Sequence, residues 1–129
     1  MQSQDDLARR LAALDTAPDG DGRYRVSEFC CRDDTWQATV VALIARADAV
    51  VMDLRGFTPA RHGCEFELHE LAARLGAGRV VLVVDASTDR SLLEQTAAPA
   101  QSGMRVMEVA RNNDRQTALA FTALLRATA

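Results

Sequence analysis

Three glutamates, Glu65, Glu67 and Glu70, crowd the first two turns of a helical stretch over residues 61–76, RHGCEFELHELAARLG, just beyond the apolar run ADAVVMDL. A carboxylate beside the end of a buried strand can stabilise an oxocarbenium-like centre or capture it covalently, which is the chemistry of glycosidic cleavage. Two more polar clusters close apolar runs: Asp53-Leu54-Arg55-Gly56 and Asp85-Ala86-Ser87-Thr88-Asp89. Asp53 could hold a ribose hydroxyl and Arg55 a phosphate or carboxylate. The competing reading has Asp53 capping its loop or pairing with Arg55, and Asp85 forming a turn with Ser87 and Thr88.

Other chemistries find little support. His62-x-Cys64 and His69 match no common zinc spacing, and Cys30-Cys31 are adjacent, so no metal and no disulfide framework is expected. Cys64 falls on a packed helix face, where a small apolar thiol is an ordinary occupant. Neither a G-x-G-x-x-G nor a Walker loop is present, which excludes a Rossmann dehydrogenase and a P-loop NTPase as far as motifs can, and no cofactor is implied.

A chain of 129 residues has the size of one compact domain, and 48% hydrophobic with 26% charged residues is a globular balance. The net charge of −3 and the absence of a dense basic cluster argue against nucleic acid. All fifteen basic residues are arginine, which reads as coding bias rather than chemistry. No apolar run reaches the roughly 18 to 20 residues of a membrane span and no signal peptide opens the chain, so a cytoplasmic protein without membrane insertion is expected.

The elements that must position these residues follow from periodicity. Leu7, Leu11 and Leu14 mark a short amphipathic helix over residues 5–14, and an exposed turn, DTAPDGDG, follows. RYRVSEFCC alternates and reads as an edge strand. Asp33, Asp34 or Thr35 can cap a helix carrying Trp36, Val40, Leu43 and Ile44. DAVVMDL and RVVLVVD are continuous apolar runs, as expected of parallel strands covered on both faces. A helix capped by Ser87 or Asp89 runs to about Ala97, APAQSG breaks the chain, MRVMEV is a fourth strand, and residues 114–127 make a closing helix. The order predicts a doubly wound α/β fold, a mostly parallel four-stranded sheet with helices on both faces, with ligands outside the carboxyl ends of its strands.

On the wheel of the 63–75 helix, Cys64, Leu68, Leu71, Ala72 and Leu75 form the sheet-facing side. Glu67 sits at its border and Glu65 on the opposite border, where the helix dipole accounts for an acid. Phe66, Glu70 and Ala73 point away, and an outward aromatic suggests an interface with another helix or subunit.

The stretch ADAVVMDLRGF…HGCEFELHELAARLG…VVLVVD resembles two related flavodoxin-like families over roughly residues 36–85. In Toll/interleukin-1 receptor (TIR) domains a similar strand leads to a Cys-x-x-Glu-Leu helix, matched by Cys64, Glu67 and Leu68. In nucleoside 2-deoxyribosyltransferases a Gly-x-x-x-Glu-Leu/Ile-Gly helix follows, matched by Gly63, Glu67 and Leu68, with Leu75-Gly76 beyond; Phe66 also fits. His69 departs from the transferase glycine, and RGFTPARHG lacks the TIR Ser-x-Trp. The DLRGF…GCEFEL combination also resembles cytoplasmic segments of larger, uncharacterised bacterial membrane proteins. Both families begin with a strand that finds no counterpart before Asp5, so a shortened form or a piece of a longer protein is expected. The resemblance implies a TIR-like interaction or signalling domain that self-associates or binds another protein domain, with Phe66 and Glu70 at the interface. The alternative it implies is an N-glycosidase or transferase acting on NAD or a nucleoside, with Glu67 as catalytic carboxylate and Asp53, Arg55, Gly56 and Asp85 binding a nucleotide or nucleoside. A phosphoacceptor receiver domain would need a lysine, and the chain has none.

Overall fold

The computed structural model describes residues 3–23, 27–75 and 78–109, together with 115, 116, 118, 119, 122 and 126. The chain forms two compact units, Met1–Leu43 and Ile44–Ala129. Helix α1 (Gln4–Ala12) opens the first unit, where the Ser3 hydroxyl accepts the Asp6 N–H at 3.2 Å and so satisfies one of the donors a helix start leaves unpaired. Asp5 and Asp6 lie at its positive end and Arg9 and Arg10 at its negative end, as the helix dipole favours. Leu7 and Leu11 are buried against Leu14, Phe29, Cys31, Ala38, Ala42 and Leu43.

The edge strand expected in RYRVSEFCC does not appear in its described part. Residues 24–26 lie outside the described residues, and residues 27–31 form no strand. The expected alternation sets Tyr24, Val26 and Glu28 against Arg25, Ser27 and Phe29, but in the described part it is Phe29 and Cys31 that pack on the apolar cluster, while Ser27, Glu28 and Cys30 are exposed. That cluster is supplied by helical residues, so the extended segment lays alternate side chains on helices without joining a ladder. Helix α2 (Trp36–Arg46) leads from the first unit into the second.

The second unit holds β1 (Val50–Asp53), α3 (His62–Arg74), β2 (Val80–Val84), α4 (Arg90–Ala97), the single turn α5 (Pro99–Ser102) and β3 (Arg105–Glu108). Among the described residues the sheet has three strands in the order β1-β2-β3, all parallel, in place of the four expected. The chain is an α/β protein. The closing helix expected over 114–127 falls mostly outside the described residues.

All five residues of β2 are buried, which is why VVLVV shows no alternation: a central parallel strand is covered on both faces. Register puts Val51, Val81, Val83 and Met107 on one face, joined by Val109, and Met52, Leu82 and Val84 on the other. Arg79 aligns the start of β1 with β2. Its Nε and Nη2 donate to the carbonyls of Asp48 (2.6 Å) and Ala47 (2.8 Å), while the Val50 N–H donates to the Arg79 carbonyl at 2.9 Å.

Helix α3 has the orientation its wheel requires, with Leu68 fully buried, Leu71 and Leu75 nearly so, and Ala73 exposed. Helix α4 starts at the second of its two candidate caps: the Asp89 carboxylate accepts the Leu92 N–H at 3.0 Å. No described helix is long and apolar enough to cross a membrane.

Candidate functional site

The carboxyl ends of the three strands open onto a cleft of about 640 Å³, lined by Arg55, Gly56, Asp85, Ala86, Ser87, Glu108 and Val109. That is where parallel α/β sheets place their ligands, because strand ends expose loops and backbone polar groups that no neighbouring strand covers. Three of the residues singled out for binding, Arg55, Gly56 and Asp85, are brought together here. Glu108 and Val109 join them through the register of β3, which places Glu108 beside Val84.

Two loops build the cleft and hold each other. In the first, the chain leaves β1 through Leu54, turns at Gly56 and buries Phe57, whose N–H donates to the Leu54 carbonyl at 3.0 Å. Gly56 has φ +77, a left-handed conformation that costs a residue with a Cβ about 1–2 kcal/mol, so glycine suits the turn. In the second, residues 85–89 form the turn expected of them. Asp85 Oδ1 accepts from the Ser87 N–H at 2.8 Å and from the Ser87 hydroxyl, and the Thr88 N–H donates to the Asp85 carbonyl at 3.1 Å.

Three contacts tie the loops together. The Gly56 N–H donates to Ser87 Oγ at 2.7 Å, the Thr88 hydroxyl donates to the Leu54 carbonyl at 2.8 Å, and the Asp89 N–H donates to the Phe57 carbonyl at 2.9 Å. Ser87 is thus both a wall of the cleft and a strut across it. Sequence alone suggests it as a turn-former or as a helix cap; its place two residues past an acid that ends a buried strand is the available signal.

Asp53 pairs with Arg55. Arg55 Nε donates to both carboxylate oxygens at 2.9 and 3.1 Å, Nη2 donates to Oδ2 at 2.6 Å, and the Arg55 backbone N–H donates to Oδ1 at 3.0 Å. The Arg55 side chain holds the Asp53 carboxyl below the usual range; burial opposes it, and the Arg55 backbone N–H and charge add smaller pulls in the same direction as the side chain. The same contacts push the Arg55 guanidinium up. A carboxyl held low in the fold contributes stability above its unfolded value, near 3.9, and loses it as pH falls through the folded value. Both side chains are about half exposed, so the contribution is that of a solvent-screened surface pair. Asp53→Asn is therefore expected to flatten the acid limb of a stability profile below about pH 4, as measured by urea unfolding across pH.

Glu67 stands apart. It is half-buried on α3 and is not among the residues lining the cleft. No hydrogen bond or ion pair to its carboxylate forms among the described residues, and burial raises its pKa. Its charge is felt at Cys64, whose thiol is pushed up by burial first and by Glu67 second, with Arg61 opposing. The two residues proposed for an interface differ. Glu70 is engaged with Arg74 one turn on, and Phe66 is half-buried rather than fully outward.

Among the described residues, no group of three or more His, Cys, Asp and Glu is disposed to hold a metal ion. Comparison with known proteins finds no matching family model, no similar curated protein and no similar solved structure.

Proposed function

We propose that this chain is a TIR-like or deoxyribosyltransferase-like α/β module of the doubly wound, four-stranded kind. It works by recognition, as a self-associating interaction or signalling domain of a larger cytoplasmic or membrane-anchored bacterial protein. The observation that carries this reading over catalysis is the separation of the carboxylates: Glu67 does not line the strand-end cleft, and Asp53 is engaged with Arg55. Glycosidic cleavage requires the nucleophilic or stabilising carboxylate to face the anomeric carbon of a sugar held in the same site.

The enzymatic reading retains one specific support. Glu67 is a half-buried carboxylate without a partner among the described residues and with a raised pKa, as a group poised for proton transfer or capture would be. Incubation of the full chain with NAD and with a deoxynucleoside, following release of the free base, decides between the two. The recognition reading expects no release above the rate without protein; release that disappears in Glu67→Gln overturns it.

That variant is a sound control. An acid raised by burial favours the fold below its unfolded pKa and loses that contribution as pH rises through the folded value. At neutral pH, Glu67→Gln is therefore expected to be at least as stable as the parent, with the difference shrinking as pH falls through the carboxylate range. Thermal unfolding of the two proteins at several pH values checks this.

A further inference from the structure

The first unit carries two thiols adjacent in the chain, and the fold treats them differently. Cys30 is exposed, whereas Cys31 is half-buried and packs with Phe29 on the cluster that holds Leu7 and Leu11 of α1. Packing accounts for Cys31, since a small apolar thiol is an ordinary occupant of such a place. It does not account for a second thiol on the water side of the same peptide bond.

The pair has what a reversible thiol switch requires. A sensor thiol must meet its oxidant in water, and it needs a resolving thiol beside it before further oxidation makes the change irreversible. Cys30 meets the first condition and Cys31 supplies the second. Residues 27–31 belong to no helix or strand, so bridging the two sulfurs breaks no ladder. The contact of the Cys31 thiol with the Phe29 carbonyl, at 3.8 Å, is a weak and local one. Adjacent Cα atoms lie about 3.8 Å apart, closer than in an unstrained disulfide, so such a bridge is readily reduced again.

Bridging cannot leave Cys31 where it is. Successive side chains of an extended segment point to opposite sides, and Cys30 holds the outer one. The Cys31 sulfur must therefore leave the cluster to reach it. The floor under Leu7 and Leu11 is small, completed by Leu14, Phe29 and Cys31 with Ala38, Ala42 and Leu43 of α2, so losing one of these side chains loosens α1.

We propose that Cys30 and Cys31 are a hydroperoxide-responsive thiol pair whose bridging draws Cys31 out of the apolar cluster and releases α1. The Cys30 thiolate attacks the terminal oxygen of the hydroperoxide; the O–O bond breaks, the alcohol leaves, and Cys30 becomes a sulfenic acid. Cys31 Sγ then attacks Cys30 Sγ, the S–O bond breaks, water leaves and the S–S bond forms. Two electrons pass from the sulfurs to the peroxide, and the two thiol protons end on the alcohol and the water. The switch lies within the first unit and depends neither on Glu67 nor on the strand-end cleft.

The test is treatment of the reduced full chain with excess tert-butyl hydroperoxide. Cleavage after arginine yields residues 26–32, VSEFCCR, as one peptide that holds both cysteines and not Cys64. That peptide is expected to lose the mass of two hydrogens, to resist alkylation, and to recover both thiols in dithiothreitol. In the oxidised protein, hydrogen exchange at the α1 amides is expected to be at least about tenfold faster than in the reduced protein, with the amides of β2 unchanged. Cys30→Ala, a change at an exposed position, is expected to keep the slow exchange of α1 in the presence of the hydroperoxide. A peptide that retains both thiols overturns the proposal, as does a bridge to Cys64 or to a second chain. So does a closed Cys30–Cys31 bridge with α1 exchange unchanged. Faster α1 exchange in oxidised Cys30→Ala also overturns it, because the effect would then come from oxidation elsewhere.

Discussion

Phe57→Ala is expected to lower the unfolding free energy by about 3–5 kcal/mol, the range for removing a large aromatic from a packed site. Phe57 is only 1% exposed although it belongs to a loop just past the end of β1. Its ring is therefore almost wholly withdrawn from water. Its backbone contributes as well, since its N–H donates to the Leu54 carbonyl and its carbonyl accepts the Asp89 N–H at the start of α4. Alanine keeps both backbone bonds but leaves a cavity beneath the loop that carries Arg55 and Gly56. A domain of this size has roughly 5–15 kcal/mol of stability in total, so the loss takes a large part of it. Urea unfolding should show a lower midpoint with an unchanged slope. A change below about 1 kcal/mol would mean that the loop is not anchored by this ring.

What could be read from the chain, and what could not, divides along physical lines. VVLVV announces a central parallel strand because burial on both faces removes every polar position, and β2 is that strand. The wheel of α3 is legible because Leu68, Leu71 and Leu75 repeat at helical spacing, and these residues are buried. Asp89 as a cap follows from side-chain chemistry local to four residues. Burial of Thr39 was not legible: its hydroxyl is satisfied by the Thr35 carbonyl one turn back at 2.9 Å, which lets a polar residue enter the packed side of α2. The segment 27–31 misled because period-two alternation reports only that one side is buried, and here helices bury it.

The candidate site was half legible for the same reason. Arg55, Gly56 and Asp85 stand at strand ends that hydropathy reveals, whereas Glu108 and Val109 reach the cleft through the register of β3, which no local pattern encodes. A helical wheel gives Glu67 an azimuth but not a reach. Placing it at the border of the packed face did not determine whether its carboxylate would meet Asp53 and Arg55, and the cleft that Arg55 lines does not include it. The pairing of Asp53 with Arg55 was one of two readings that two-residue spacing allows, and its bidentate geometry is visible only in the fold.

The lacing of the two loops yields the second large effect. Thr88 is 7% exposed, and its hydroxyl donates to the Leu54 carbonyl at 2.8 Å and accepts the Asp85 N–H at 3.1 Å. Thr88→Val preserves shape and adds apolar character, so hydrophobic transfer alone predicts no loss. The hydrogen bonds predict the opposite. The Leu54 carbonyl keeps the Phe57 N–H, but the part-buried Asp85 N–H loses its Thr88 acceptor, and stranding a polar group in this way costs about 1–3 kcal/mol. Thr88→Ser keeps the hydroxyl and loses one methyl, worth about 0.8 kcal/mol. The order of stability is therefore expected to be Thr, then Ser, then Val, with Thr88→Val lower than the parent by about 2 kcal/mol in urea unfolding. If the Thr88→Val protein proved as stable as the Thr88→Ser protein, packing rather than the hydroxyl would be what joins the loops. If the expected order holds, hydrogen exchange at the Asp85 and Gly56 amides should quicken in Thr88→Val before the strands themselves open, because the lacing is local to the rim of the cleft while β2 is buried along its whole length.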